Sequence, residues 1–336
     1  MIVVLGASGY IGEAFVREIQ SRGEPVIALS RSNRGAGSSV ALPLIRLDYT
    51  QFDELLRFLR ERRPDFLINA AGYTGRPNVD ACETAKADTL AGCVLLPQVV
   101  ADACAAAGIP WGHVSSGCLY SGGKIVDGGN MRIEKDLMQP ELRALVEKSP
   151  ERIRGFTEKD PPNFSFRSPP CSFYSGAKAI AEEAIAGVGR NYSWRLRIPF
   201  DDYDNPRNYL SKVQRYAKVY DNVNSISHRG DFARACLDLW ERRAPFGIYN
   251  VVNPGFVTTR RVVEMVEEIL RPDRRFEFWK SDEEFYRTVK APRSNCVLDV
   301  SKLLATGVRI APVEEALEAS LRRWKPETKA LVHFPA

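Results

Sequence analysis

Long apolar runs, paired cysteine motifs and histidines are what this sequence lacks. No uninterrupted apolar run approaches the ~20 residues that span a bilayer, so no membrane association is expected. The opening Met1-Ile2-Val3-Val4-Leu5-Gly6 has no basic start or cleavage site of a signal peptide and reads as a buried first strand. Cys82, Cys93, Cys104, Cys118, Cys171, Cys236 and Cys296 form no Cys-x-x-Cys pair, and the three histidines do not cluster. No metal site and no disulfide framework are therefore expected, and a reducing cytoplasm is. The net charge is only +5, and the one dense basic stretch, Arg57 to Arg63, reads as a solvated helix face ending before Pro64. Nucleic-acid binding, which needs a clustered basic stripe with a recognisable motif, is not expected. The mild positive bias suits an anionic small molecule.

What is present points to one globular unit. With 336 residues, 44% hydrophobic and 26% charged, the chain can form one large α/β domain or a main domain with a smaller lobe. Residues 1–5 are apolar throughout, as in a parallel strand buried on both faces. Gly6, Gly9 and Gly12 follow, and then Ile11, Ala14, Phe15 and Ile19 at helical spacing. Such a strand–glycine turn–helix brings backbone N–H groups close to a pyrophosphate, so Gly6, Ser8, Gly9, Tyr10, Ile11 and Gly12 are expected to bind a dinucleotide. The second strand, Val26 to Ser30, ends in Arg31, where dinucleotide folds preferring the unphosphorylated cofactor carry an acid. Arg31, with Ser30, Ser32 and Arg34 nearby, favours a 2′-phosphate and hence NADPH, with NADH still open; the competing reading stacks Arg31 on the adenine. Asp48 is placed to accept from the adenine amino group. Asn69-Ala70-Ala71-Gly72 closes a third strand with residues small enough for the cofactor to lie close.

A long helical stretch is expected from about Asp80 to Ala107, then a strand from Trp111 delivering Ser116 and Cys118 to the carboxyl edge of the sheet. Tyr174-Ser175-Gly176-Ala177-Lys178 places a phenol and an ammonium one helical turn apart. A phenol is a weak acid, with a pKa of about 10. A cation on the same helix face favours the phenolate and eases proton transfer to a reduced carbonyl. Alternation along the strand lets Ser116 or Ser115, but not both, face the site. His113 reads as structural, and neither His228 nor His333 is given a catalytic role. The expected fold is α/β, a Rossmann-type doubly wound parallel sheet with a smaller C-terminal lobe. Residues 1–200 form the cofactor domain, and residues 201–336 mainly the substrate lobe, some segments returning to the sheet. Val262, Val263, Met265, Val266 and Ile269 mark one packing helix of that lobe, and Val313 to Leu321 another.

The glycine turn, Ser116 and Tyr174/Lys178 resemble an extended short-chain dehydrogenase/reductase. Gly75-Arg76-Pro77-Asn78-Val79-Asp80, Asn205-Pro206-Arg207-Asn208-Tyr209, Gly247-Ile248-Tyr249-Asn250 and Ala291-Pro292-Arg293-Ser294-Asn295 are similar to the nucleotide-sugar 3,5-epimerase/4-reductases of rhamnose biosynthesis. That resemblance implies NADPH-dependent reduction of a nucleotide-linked 4-keto-6-deoxyhexose with epimerisation at C3 and C5. Alternatives are a pure dTDP-4-dehydrorhamnose-type 4-reductase and a catalytically silent cofactor-binding subunit. It assigns Ser116 to the substrate carbonyl, Tyr174 to proton donation, Lys178 to the nicotinamide ribose and to tuning the tyrosine, and Cys118 with Lys212 to the acid–base pair. Thr74, Arg76, Asn78, Asn205, Arg207, Asn208 and Arg293 are the expected nucleotide-diphospho-sugar contacts, and a homodimer is left open. The segment from 121 to 155 is longer than that family leads one to expect; it is either a lid or a surface elaboration.

Overall fold

The computed structural model describes residues 1–31 and 43–326; Ser32, Arg34 and His333 lie outside the described residues. Seven strands form the main sheet: β1 (Ile2–Leu5), β2 (Val26–Ser30), β3 (Ile45–Arg46), β4 (Phe66–Asn69), β5 (Trp111–Ser116), β6 (Asn191–Leu196) and β7 (Gly247–Asn250). Their order is β7-β6-β5-β4-β1-β2-β3, with every pairing parallel. This is the Rossmann arrangement, and its strand order reverses between β1 and β4, where such sheets bind ligands.

Alternation along each strand feeds two cores. Ile2 and Val4 of β1, with Phe66 and Ile68 of β4, pack on one face against Phe15, Ile19, Phe232 and Leu237. Those partners come from α1 (Tyr10–Ser21) and a helix of the second half, Arg229–Glu241. Val3, Leu5 and Leu67 point the other way, to Leu55, Leu59, Val100 and Cys104. The burial of β1 on both faces is what its unbroken apolar run requires.

The helical stretch expected from Asp80 is not continuous. A short helix, Ala81–Thr84, stops at Ala85, and the chain re-enters helix at Lys86. Ala91–Leu95 is a π-turn before Leu96–Ala107. There Gly92 packs on the segment after β4: a Cβ on it would lie 2.6 Å from the Cβ of Tyr73. Tertiary packing at the edge of the cleft thus sets the irregularity, a common setting for such turns. Lys86–Ala107 is 22 residues long and, by length and composition alone, apolar enough to cross a membrane, but Lys86, Asp88, Gln98 and Asp102 interrupt it, so it holds no unbroken apolar run of that length. Here Leu96, Val100, Ala101 and Cys104 of this helix are buried in the core beneath the sheet.

Beyond β6 the chain builds a lobe on a separate core of Phe200, Leu210, Val262, Val266, Leu317 and Leu321. It holds the helices Tyr209–Arg215, Thr259–Ile269 and Val313–Arg322; between the first and second of these, β7 returns to the sheet beside β6. The 121–155 segment folds as a three-stranded antiparallel sheet, Gly123–Asp127, Asn130–Glu134 and Ile153–Arg154, with a helix at Pro140–Lys148. Gly128 (φ +52°) and Gly129 (φ +88°) make its hairpin turn, as a two-residue turn needing positive φ requires. Ile125, Leu137, Val146 and Ile153 pack with Val223 and Val297 of the second half.

Candidate active site

The turn after β1 shows why glycine stands at three positions. Gly6 has φ +72°, and a Cβ there would lie 2.8 Å from the backbone of Ala71. At Gly12 it would lie 2.1 Å from the carbonyl oxygen of Gly6. Neither glycine lines the cleft. Both let α1 and the end of β4 close in, so that Ser8, Gly9, Tyr10, Ile11, Ala70, Ala71 and Gly72 form its wall. Gly9 caps α1 with no side-chain bond, leaving first-turn N–H groups available to an anion. The Ser8 and Ser30 hydroxyls lie 3.2 Å apart. A glycine cradle at the strand-order reversal, walled by Ala70 and Ala71, fits a dinucleotide.

The cleft, about 980 Å³, runs from this turn past the end of β5 and into the second lobe. Ser116, Cys118, Tyr174 and Lys178 all line it, as do Thr74, Arg76, Asn78, Asn205, Arg207, Lys212 and Arg293. Ser116 ends β5, and its Oγ accepts from the Cys118 N–H at 3.2 Å. Ser115 also lines the cleft, but its hydroxyl is committed to Glu182 Oε1 at 2.6 Å, so Ser116, beside Tyr174, is the hydroxyl placed to meet a carbonyl. Tyr174 and Lys178 share one face of the helix Phe173–Ile185, which starts at a cap where Ser172 Oγ accepts from Ser175 N–H at 3.1 Å. Glu83 Oε1 accepts from Phe173 N–H at 2.8 Å, tying that helix start to Ala81–Thr84.

The electrostatics differ from the expectation that Lys178 favours the phenolate. Burial pushes the Tyr174 phenol well above its ordinary value, Cys118 and Cys93 add to this, and the Ser116 hydrogen bond opposes it. Lys178, buried, donates to the Val114 carbonyl at 3.1 Å. Desolvation therefore keeps Tyr174 protonated, the form a proton donor must have. Lys212 is held below its ordinary value by burial and by the Arg207 charge, which makes its amine a better base near neutral pH.

Several expected contacts are placed elsewhere. Asn208 is fully buried outside the cleft lining: it caps Tyr209–Arg215 by accepting from Leu210 N–H at 3.0 Å and donates to the carbonyls of Asp201 and Tyr203. Its role is to shape the loop carrying Asn205 and Arg207. Arg31 and Asp48 also lie outside the lining. Arg31 sits 5.8 Å over the Tyr49 ring, and Asp48 Oδ1 accepts from the Thr50 hydroxyl at 2.6 Å in a local turn. Arg293 lines the cleft but is committed to Asp80, with bonds of 2.7 and 3.0 Å to its two oxygens. Arg207 reaches back to Thr74 Oγ1 at 3.0 Å and the Gly75 carbonyl at 3.2 Å. His113 is fully buried beside Asn69, 3.3 Å away, and burial lowers it well below its ordinary value, as a structural residue requires. No residue from 121 to 155 lines the cleft.

Sequence reasoning missed other parts of the lining. Arg197, buried at the strand edge, donates to Ser294 Oγ at 3.0 Å. Tyr216, Lys218, Tyr220, Trp279 and Phe285 form the far end of the cleft. Five aromatics within Phe276-Glu277-Phe278-Trp279 and Phe285-Tyr286 were the available signal, in a region otherwise polar and loop-forming.

Comparison with known proteins agrees with this layout. A bifunctional dTDP-4-dehydrorhamnose 3,5-epimerase/dTDP-4-dehydrorhamnose reductase of Arabidopsis thaliana is 33% identical over 258 residues, covering 76% of this chain and 75% of that one. A trifunctional UDP-glucose 4,6-dehydratase/UDP-4-keto-6-deoxy-D-glucose 3,5-epimerase/UDP-4-keto-L-rhamnose-reductase of the same plant is 31% identical over 264 residues. That match covers 78% of this chain but only 35% of the plant protein, so the chain spans about a third of its length. The crystal structure of the L780 UDP-rhamnose synthase of Acanthamoeba polyphaga mimivirus superposes with a TM-score of 0.77 at 20% identity, covering 96% of this chain and 98% of that one; this likeness shows the fold. The model of the RmlD substrate binding domain matches residues 1–325, and the chain belongs to that family.

Proposed function

We propose that this chain reduces the C4 ketone of a nucleotide-linked 4-keto-6-deoxyhexose with NADPH and also inverts C3 and C5. The observation that carries the reading is the convergence of Ser116, Tyr174 and Lys178 on one cleft whose other wall is the glycine turn. The functions named for the Arabidopsis relatives support the same substrate class. When bound, NADPH supplies the hydride to C4. Ser116 hydrogen-bonds the C4 oxygen and stabilises the charge that builds there, while Tyr174 transfers its proton to that oxygen to give the alcohol. Lys178, fixed to the Val114 carbonyl, presents its charge to the ribose side and assists return of a proton to Tyr174. Ser8 to Ile11 hold the pyrophosphate, and Arg31, at the end of β2, reads the 2′-phosphate in preference to an unmodified ribose.

For epimerisation, protons on C3 and C5 are acidic because the enolate spreads charge onto the C4 oxygen that Ser116 holds. Cys118 and Lys212, both on the cleft wall, act as the acid–base pair: one removes a proton and the other returns one from the opposite ring face. Arg76 and Arg207 meet the diphosphate. The test is a panel of UDP-, dTDP- and GDP-linked 4-keto-6-deoxyhexoses with NADPH, followed by absorbance loss and product mass. Expected is one hydride and one proton gained on at least one non-epimerised ketone. Turnover confined to a pre-epimerised ketone identifies a pure reductase, and no turnover on any member identifies a silent cofactor-binding subunit.

A further inference from the structure

A buried cation that the reaction at Tyr174 does not use joins the two halves of the molecule behind the cleft. The two-residue strand Pro199–Phe200 pairs in parallel with Ser227–His228. The residues that follow them, Asp201 and Arg229, are thereby brought side by side, and Arg229 Nε forms an ion pair with Asp201 Oδ2 at 2.5 Å. The Arg229 side chain is only 3% exposed and stands outside the cleft lining.

From there the guanidinium reaches the glycine turn. Nη1 donates to the Tyr10 carbonyl at 2.9 Å and lies 3.7 Å from Glu13 Oε2. Cζ sits 4.5 Å from the centroid of the Tyr10 ring and 4.8 Å from that of Tyr203, so one cation holds rings from both halves. Tyr10 and Glu13 belong to α1, and both line the cleft. Asp201 and Tyr203 belong to the loop that Asn208 shapes by donating to their carbonyls. Asn205 and Arg207 of the same loop line the cleft.

The bond to Tyr10 bears on ligand binding because the Tyr10 carbonyl and the Ile11 N–H are two ends of one planar peptide group. Ile11 is the second residue of α1, so its N–H is one of the first-turn donors that a helix offers to an anion. A donor on the carbonyl fixes the peptide plane and polarises the N–H. An anion on the N–H in turn makes the carbonyl a stronger acceptor for Arg229. With Asp201 and Glu13 beside it, the guanidinium serves a phosphate through this peptide and not by contact.

We propose that Arg229 is a positioning residue that couples the two ligands of the cleft. Cofactor pyrophosphate at the glycine turn steadies Arg229 and, through Asp201 and Tyr203, the loop that carries Asn205 and Arg207. This rests on the reading of the cleft as a site for a dinucleotide and a nucleotide-sugar, and adds that each ligand tightens the other.

The experiment is calorimetric titration of the full chain with NADPH, UDP, dTDP and GDP, each alone and again with the other kind of ligand saturating. Wild type binds NADPH and at least one nucleoside diphosphate, and each tightens the other by the same factor, about fivefold or more. Arg229→Met removes the charge, and Arg229→Lys keeps it without the planar fork that spans Tyr10 and Asp201. In both, the factor falls toward one and NADPH alone is weakened. In Asp201→Asn the factor falls while NADPH alone binds as in wild type, since the bond to Tyr10 remains. Where Arg229→Met does not fold, Arg229→Lys and Asp201→Asn carry the test. Tyr192→Phe removes a buried bond to the Ala244 carbonyl (2.6 Å), beyond the far end of the helix that Arg229 opens. It is the control for lost stability: its Tm falls and its factor stays. No mutual tightening in wild type, an unchanged factor in the Arg229 variants, or an equal loss in Tyr192→Phe overturns the proposal. If wild type reduces a nucleotide-linked ketone while the Arg229 variants keep the factor, the coupling fails and the catalytic reading stands. If no ketone is reduced but the factor is lost in the Arg229 and Asp201 variants alone, the reverse holds.

Discussion

Glu182→Gln tests whether the catalytic groups depend on one buried ion pair. Glu182 lies one helical turn past Lys178 and two past Tyr174. Its Oε2 accepts from Arg195 Nη2 at 2.7 Å, and its Oε1 accepts from Arg195 Nε at 3.1 Å and from the Ser115 hydroxyl at 2.6 Å. The side chains of Arg195 and Glu182 are only 3% and 6% exposed. The pair therefore joins the Tyr174 helix to β6 and, through Ser115, to the residue beside Ser116. Glutamine keeps the shape but leaves the Arg195 charge uncompensated and turns an amide donor toward a guanidinium. Breaking such a pair by removing one partner costs about 3–5 kcal/mol. Arg195 keeps its bond to Tyr120 OH at 2.9 Å, so the lower figure applies. With a melting entropy of about 2.1 cal/mol/K per residue, about 3 kcal/mol corresponds to a fall in Tm of about 4 °C. Calorimetry reads this directly, and steady-state assays are expected to show kcat reduced with the NADPH KM little changed. Glu182→Met with Arg195→Met, which removes both charges, is expected to recover part of the Tm. An unchanged Tm and kcat in Glu182→Gln refutes the reasoning.

Arg31→Ala is expected to weaken NADPH far more than NADH in paired titrations; equal weakening places Arg31 on the adenine instead. Cys118→Ser raises the side-chain pKa by several units, so deuterium exchange from solvent into C3 and C5 of a non-epimerised ketone should collapse, while reduction of a pre-epimerised ketone largely survives. If wild type shows no exchange at either carbon, Cys118 is a packed thiol. The pH profile carries its own sign. Tyr174 donates only when protonated and is raised above its ordinary value, so reduction is fully present below that value and lost only as pH rises through the raised one. The rate at saturating ketone should therefore hold between pH 7 and about 9, and a decline centred below that range contradicts a buried, protonated phenol.

Elements with a local cause could be read from the sequence. The apolar run 1–5 and the glycines after it became β1 and its turn, since burial on both faces and a tight turn each leave a residue-level mark. The packing stripes at Val262 and Val313 mark Thr259–Ile269 and Val313–Arg322. Features set by distant partners were not legible. The π-turn at Ala91–Leu95 lies where Gly92 packs closely on Tyr73. Arg293 is joined to Asp80, 213 residues away, and no spacing rule shows such a pair. Asn208 looked like a ligand contact because caps and ligand contacts use the same residue type; only its burial separates them. The Lys178 spacing was read correctly, but the balance between a cation and the desolvation of a phenol depends on depth, which sequence does not record.

The central claim is that Tyr174 and Ser116 serve a hydride transfer to a sugar ketone. NADPH deuterated at the transferring position of nicotinamide C4, mixed with the nucleotide-linked 4-keto-6-deoxyhexose that the panel identifies, tests it most directly. The account predicts one deuterium at C4 of the sugar product, formed by wild type. In Tyr174→Phe the same labelled product forms at least about a hundredfold more slowly, with NADPH affinity unchanged. A product without deuterium at C4, or near-normal turnover in Tyr174→Phe, contradicts it.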